Sequence, residues 1–233
     1  TATTEIYTLS LHDALPISTV ALMAGKEMED PRFTDIANRH AETAMRVLLR
    51  PDGSCNHIGI LDPETGEVIS LPGGQGYGEG SSWSRGQAWA VYGFALAFLH
   101  TGNQEFLDAA KRAAHYFLAN VAMTGYVSLV DFRAPKEPVY WDTTATACAA
   151  CGLLQIAEMV PEFEKDLYYD GAVKMLMALS EAHCDWNLKT DGILQNGTAA
   201  YWRDTDRHVS IIYGDYFYVE GILRLLGKEF MIW

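Results

Sequence analysis

Positive charge is in short supply in this 233-residue chain: 17 Lys and Arg stand against 30 Asp and Glu, a formal net charge of −13. A field of that sign argues against general binding to nucleic acid or to anionic membrane surfaces. An anionic small molecule must then be met by local cations. Cysteine is scarce as well. Four thiols (Cys55, Cys148, Cys151, Cys184) make no disulfide framework in a chain of this length. The one C-x-x-C, Cys148 to Cys151, sits inside the apolar run TATACAACGLLQIA and reads as small core residues facing a neighbouring helix. Neither a second C-x-x-C nor an H-E-x-x-H occurs, so nothing supports a metal site. No membrane span and no secretory leader are visible, and strand-like alternation is rare.

What is present is the composition of a packed globular protein: 49% hydrophobic and 12% aromatic residues. Apolar periodicity predicts helices at about 14–27, 32–49, 83–100, 104–121, 143–160, 164–184 and 214–226. Two segments repeat a pattern at the start of a helix. Asp30-Pro31-Arg32-Phe33 leads to Ala37, Arg39 and Ala41, and Asn103-Gln104-Glu105-Phe106 leads to Ala110, Arg112 and Ala114. Val160-Pro161-Glu162-Phe163 opens a looser third copy. Nearly wholly apolar helices alternate with amphipathic ones, as two concentric rings require. The expected fold class is all-α, an (α/α)6 toroid.

Three long connections, residues 51–82, 125–141 and 185–213, precede the apolar helices and are expected to line one mouth. Turn signals at Pro51-Asp52-Gly53 and Pro63-Glu64-Thr65-Gly66 allow one short hairpin there. The most informative stretch closes the first loop: Ser81-Ser82-Trp83-Ser84-Arg85-Gly86-Gln87-Ala88-Trp89. Ser81 or Ser82 is the expected N-cap, and the run from Ala88 to Leu99 predicts a helix buried all round. Arg85 and Trp89, four apart, share a face near the positive end of the helix dipole. Two readings fit Arg85: capture of a ligand carboxylate between indoles, or a core arginine paired with an internal Asp or Glu. Asp142, before Thr143-Thr144-Ala145, reads as an N-cap. Asp215 reads as a cap or a hydrogen bond at the mouth, and Asp131 and Lys136 as rim positions.

The series His57, Gln75, then Trp83-x-Arg85-Gly86-Gln87-Ala88-Trp89 resembles the unsaturated glucuronyl hydrolases of glycoside hydrolase family 88. Further matches follow in order at Val130-Asp131-Phe132, Asp142-Thr143-Thr144-Ala145 and Gly214-Asp215-Tyr216-Phe217-Tyr218, so the resemblance runs from about Asp30 to the C-terminus. It implies the (α/α)6 toroid, of which these residues would supply roughly seven of twelve helices. Missing helices would then expose apolar faces such as that of 83–100. Gln87-Ala88 favours the glucuronyl group over the unsaturated rhamnogalacturonyl hydrolases, where Arg-Gly-Asn-Gly-Trp is expected.

The resemblance also implies a reaction. The substrate is a disaccharide or oligosaccharide ending in a Δ4,5-unsaturated uronic acid, whose C4=C5 bond is an enol ether. A carboxylic acid protonates C4; the resulting carboxylate then takes a proton from the water that attacks C5. The hemiketal opens and the aglycone leaves, with no cofactor. By the same resemblance His57, Gln75, Trp83, Arg85 and Trp89 are substrate-binding residues, and a cytoplasmic location is expected. A truncated product that only binds uronides is the competing expectation, and the oligomeric state is left open.

Residues 1–17 (TATTEIYTLSLHDALPI) resemble one reading frame of a short-read sequencing adapter, which sets them apart from a catalytic-domain portion at 18–233. Counting back from Asp30-Pro31, the family's general acid/base falls at Asp13, inside that segment. A second important Asp further upstream has no counterpart here.

Overall fold

The computed structural model describes residues 7–187 and 190–228; the side chains of Tyr7 and of residues 11–17 lie outside that description. Among the described residues there are seven α-helices: α1 (Leu11–Glu27), α2 (Pro31–Leu48), α3 (Ser84–Thr101), α4 (Gln104–Val121), α5 (Thr143–Met159), α6 (Glu162–Ala182) and α7 (Ile212–Leu225). They pack as a row of hairpins. α1, α3, α5 and α7 lie side by side, and α2, α4 and α6 pack outside α1, α3 and α5. This is a stretch of an α/α toroid, with an inner and an outer row.

The pattern of small and large residues explains the rows. α3 buries every residue from Ser84 to Ala97 except Trp89, and α5 buries every residue from Thr143 to Ala157. Ala and Gly at their faces let both neighbours approach closely. A Cβ at Gly152 of α5 would sit 2.9 Å from the backbone of Tyr92 on α3. The outer helices bury one stripe only, such as Phe106, Ala110, Ala113, Ala114 and Phe117 on α4. Each of those phenylalanines contributes about 1.5–3 kcal/mol on burial. The repeated start signal marks the outer row: Asp30 and Asn103 are the N-caps of α2 and α4, accepting N–H from Arg32 and Glu105, and Pro161 precedes α6.

Two expectations change. The face of α3 stays covered, because α1 and α5 flank it on either side. The exposed apolar face belongs instead to α7, where Ile212 and Val219 stand seven apart with Leu226 just beyond the helix. The hairpin after α2 forms as β2 (Ile58–Leu61) and β3 (Val68–Ser70), and it gains a third strand. β1 (Tyr7–Ser10), from the segment set apart in the sequence, pairs antiparallel with β2 and buries Leu9. No helix among the described residues is long and apolar enough to cross a membrane.

Candidate active site at the mouth of the inner row

Every connection from an outer helix to the next inner helix opens at the same end. The three loops so gathered are joined by long-range hydrogen bonds. Ser84 and Phe132 exchange backbone bonds with Val130 and Ser82, Tyr201 donates its N–H to the Gln75 carbonyl at 2.9 Å, and Trp202 Nε1 donates to the Tyr77 carbonyl at 2.7 Å. The expected serine cap on α3 is not used. Trp83 occupies the N-cap position, the N–H of Ser84 is taken by the Val130 carbonyl and that of Ser82 by Asp131. The neighbouring loop supplies the acceptors that a side chain would otherwise have provided.

Arg85 lies fully enclosed at the start of α3. Its guanidinium donates to Tyr213 Oη (2.9 Å), the Thr198 carbonyl (2.6 Å) and the Ala199 carbonyl (3.1 Å), and its Nη2 is 3.4 Å from a carboxylate oxygen of Asp142. Both charged side chains of this pair are 0% exposed. The internal carboxylate open to Arg85 in the sequence is therefore Asp142. The same Asp142 is the N-cap of α5, accepting the Ala145 N–H at 3.2 Å. Burial pushes its carboxyl up, against the pull of Arg85 and the helix-start N–H groups. Trp83 stacks with His57 at 4.2 Å between centroids and lies 5.0 Å from the Arg85 guanidinium. Trp89, half-buried, meets Phe217 edge-on at 5.4 Å and Tyr213 at 6.1 Å.

A cleft of about 450 Å³ opens beside this chamber, lined by Ser10, His57, Gln75, Trp202, Arg203 and Asp206 among others. His57 is held by the loop that wraps it. Gln75 donates its backbone N–H to His57 Nδ1 at 3.0 Å, and the Gly73 carbonyl lies 3.1 Å from the same nitrogen. Both backbone groups thus meet the ring on its Nδ1 side. Gly74 makes this wrap possible: its φ is +57° and a Cβ there would collide with the imidazole. The Gln75 side chain donates to the Ala199 carbonyl at 2.8 Å, the same carbonyl that Arg85 holds. Arg203 offers an exposed cation, 3.6 Å from Asp206. Trp202 is 65% exposed with its ring stacked on Tyr77 at 5.3 Å, so a broad apolar face stays open beside the charge.

Of the residues singled out in the sequence, the structure brings His57 and Gln75 to the cleft and keeps Trp83 and Arg85 in the chamber behind it. Trp89, one turn further along α3, is half-buried against Phe217 and Tyr213. Asp13 is on the first turns of α1, three residues past the cleft residue Ser10; its side chain lies outside the described residues. Asp131, expected at the rim, is 1% exposed and bound by backbone N–H groups. Asp215 takes the mouth hydrogen bond, accepting the Leu194 N–H at 2.7 Å. Sequence reasoning did not assign Trp202 and Arg203 to the site. An aromatic–cation pair, Trp202-Arg203, within a long loop before an inner helix was the available signal.

No family model matches the chain. Among curated proteins, it is 38% identical to the unsaturated glucuronyl hydrolase of Bacillus sp. (strain GL1) over 208 residues, covering 88% of this chain and 55% of that protein. It is 31% identical to the unsaturated chondroitin disaccharide hydrolase of Streptococcus pyogenes serotype M1, covering 94% of this chain and 56% of the relative. Among solved structures, unsaturated glucuronyl hydrolase from Streptococcus agalactiae matches with a TM-score of 0.90 at 28% identity, covering 97% of this chain and 58% of its own. A variant of that enzyme complexed with dGlcA-GalNAc6S matches at 0.84, with 27% identity over 95% of this chain and 59% of its own. The fold is thus the α/α toroid of these enzymes. The chain is homologous to unsaturated glucuronyl hydrolases, which are glycoside hydrolases, along nearly its whole length. It spans about half the length of the curated relatives it matches.

Proposed function

We propose that this chain acts on Δ4,5-unsaturated glucuronyl oligosaccharides of the kind left by glycosaminoglycan degradation, hydrating the C4=C5 enol ether and so splitting the terminal uronic acid, now an open-chain keto acid, from its aglycone. One observation carries the proposal: His57 and Gln75, 18 residues apart, meet Ser10 at the start of α1 in one cleft at the N-terminal end of the inner helices. In this reading the His57 imidazole and the Gln75 amide orient sugar hydroxyls or the attacking water. Arg203 supplies local positive charge in an acidic protein, and Trp202 an apolar face for the second sugar. Arg85 acts through a neighbour, since its two Nη groups hold Tyr213 and the carbonyls that set the Gln75 side chain.

Asp13 is the acid in this scheme. It donates its proton to C4 as oxocarbenium character builds at C5, and as a carboxylate it then accepts a proton from the water bonding to C5. The hemiketal opens, the aglycone departs with its oxygen, and the acid is restored. Gln87 accepts the Cys55 N–H at 2.8 Å and donates to the Gly53 carbonyl at 2.7 Å, bracing the loop that leads to His57. Buried unpaired thiols suit a cytoplasmic location.

Incubation with an unsaturated chondroitin disaccharide, followed by loss of the enol-ether absorbance, tests this. The chain is expected to turn the substrate over, and Asp13→Asn to slow it by about 100-fold or more. Unchanged turnover in Asp13→Asn removes Asp13 from the scheme. Saturable binding with no absorbance loss favours a polypeptide that binds uronides without hydrolysing them. Recovery of the source gene across residues 1–17 tests the adapter reading of that segment.

A further inference from the structure

Asp131 is a buried carboxylate to which the scheme above gives no task. It sits in the loop between α4 and α5, 1% exposed, and it does not line the cleft. One oxygen accepts the backbone N–H of Ser82 at 3.0 Å and of Arg133 at 2.9 Å; the other accepts the N–H of Tyr77 at 3.0 Å. Among the described residues no ion pair reaches it, so oriented backbone donors balance the charge. Gly76 presses against it: a Cβ there would lie 2.7 Å from the same oxygen that holds Tyr77.

We propose that Asp131 is the positioning residue of the cleft, fixing the segment 73–78 so that Gln75, His57 and Trp202 keep one geometry. The connections are short. Gln75 is two residues from the pinned Tyr77 amide, and its own N–H orients His57. Its carbonyl carries Tyr201, and the Tyr77 carbonyl and ring carry Trp202. Both walls of the cleft therefore depend on one carboxylate 54 residues along the chain from Tyr77. The charge matters as well as the shape. Asn has one acceptor oxygen, and its NH2 would face a backbone N–H, so one side of the clamp must open.

The inference rests on the uronide reading for its kinetic consequence and on geometry alone for the clamp. Its test compares Asp131→Asn with Asp62→Asn, a carboxylate that likewise accepts two backbone N–H groups, from Glu64 and Thr65, but in an exposed turn. Two quantities are read: KM and kcat for the unsaturated chondroitin disaccharide, and hydrogen exchange at the Gln75, Tyr77 and Tyr201 amides and the Trp202 indole N–H. Asp131→Asn is expected to raise KM by about tenfold with a smaller change in kcat, and to speed exchange at those four N–H groups. Asp62→Asn is expected to leave both unchanged. Unaltered KM and exchange in a folded Asp131→Asn overturn the proposal, as does an equal effect from Asp62→Asn. If the unsubstituted chain turns over no unsaturated uronide, the function reading fails by itself, and exchange alone then decides the clamp.

Discussion

The chamber around Arg85 and the cleft around His57 adjoin at the same mouth, and they are built on opposite principles. In the chamber a guanidinium and a carboxylate, both fully enclosed, use their valences on each other, on two carbonyls and on a phenol. In the cleft the polar groups stand beside an exposed indole and an exposed arginine. Arg85 is the more conspicuous residue in the sequence, yet the cleft has the space for a ligand. A buried charge held by protein groups on several sides organises a site, and an exposed one next to open space can recognise a ligand.

Substitutions can separate the two regions. The largest effect is expected from Arg85→Ala, which strands the Asp142 charge and frees the Thr198 and Ala199 carbonyls; about 3–5 kcal/mol of unfolding free energy should be lost. Chemical denaturation measures it, and Arg85→Lys should recover little, because an ammonium cannot reproduce the planar fork. Asp142→Asn comes next. It keeps an oxygen for the α5 cap and loses the charge partner of Arg85, so about 1–3 kcal/mol is expected by the same method. A loss as large as that of Arg85→Ala would mean that the ion pair alone, and not the cap that Asn preserves, holds the chamber.

Acid titration should leave that contrast intact. His115 and His183 are held below the usual histidine range by burial, and His100 by burial and then by Lys26. None of them lines the cleft. Their depressed affinity for protons in the fold means the unfolded chain binds more protons below about pH 6.5, so stability is fully present above that pH and falls as acid is added. Unfolding midpoints in urea between pH 7.5 and 5 check the sign. A midpoint that rises toward pH 5 would contradict it.

The helices were legible because their signals are local. Asp30 and Asn103 announce outer helices, and the apolar runs of α3 and α5 announce inner ones, with boundaries found within two or three residues. The site was legible only in part. His57 and Gln75 were found through an ordered series of matches, whereas Asp131, placed at the rim by sequence, is buried. What buries it are amides up to 54 residues away, and no local pattern reports them. The partners of Arg85 in the loop before α7 and on α7 lie 113 to 128 residues along the chain, so the sequence left open what Arg85 would hold. β1 was missed because its segment was set aside before pairing was considered.

The central claim, that the cleft rather than the chamber meets the uronide, is tested most directly by calorimetric titration of an unsaturated chondroitin disaccharide into the chain and into Gln75→Ala. Gln75→Ala removes one side-chain hydrogen bond and leaves the His57 contact through the backbone, so the fold should persist. Saturable binding that weakens by about tenfold in the variant, equivalent to about 1.4 kcal/mol, is the predicted result. Equal affinity in both proteins, with the variant folded, would contradict the account.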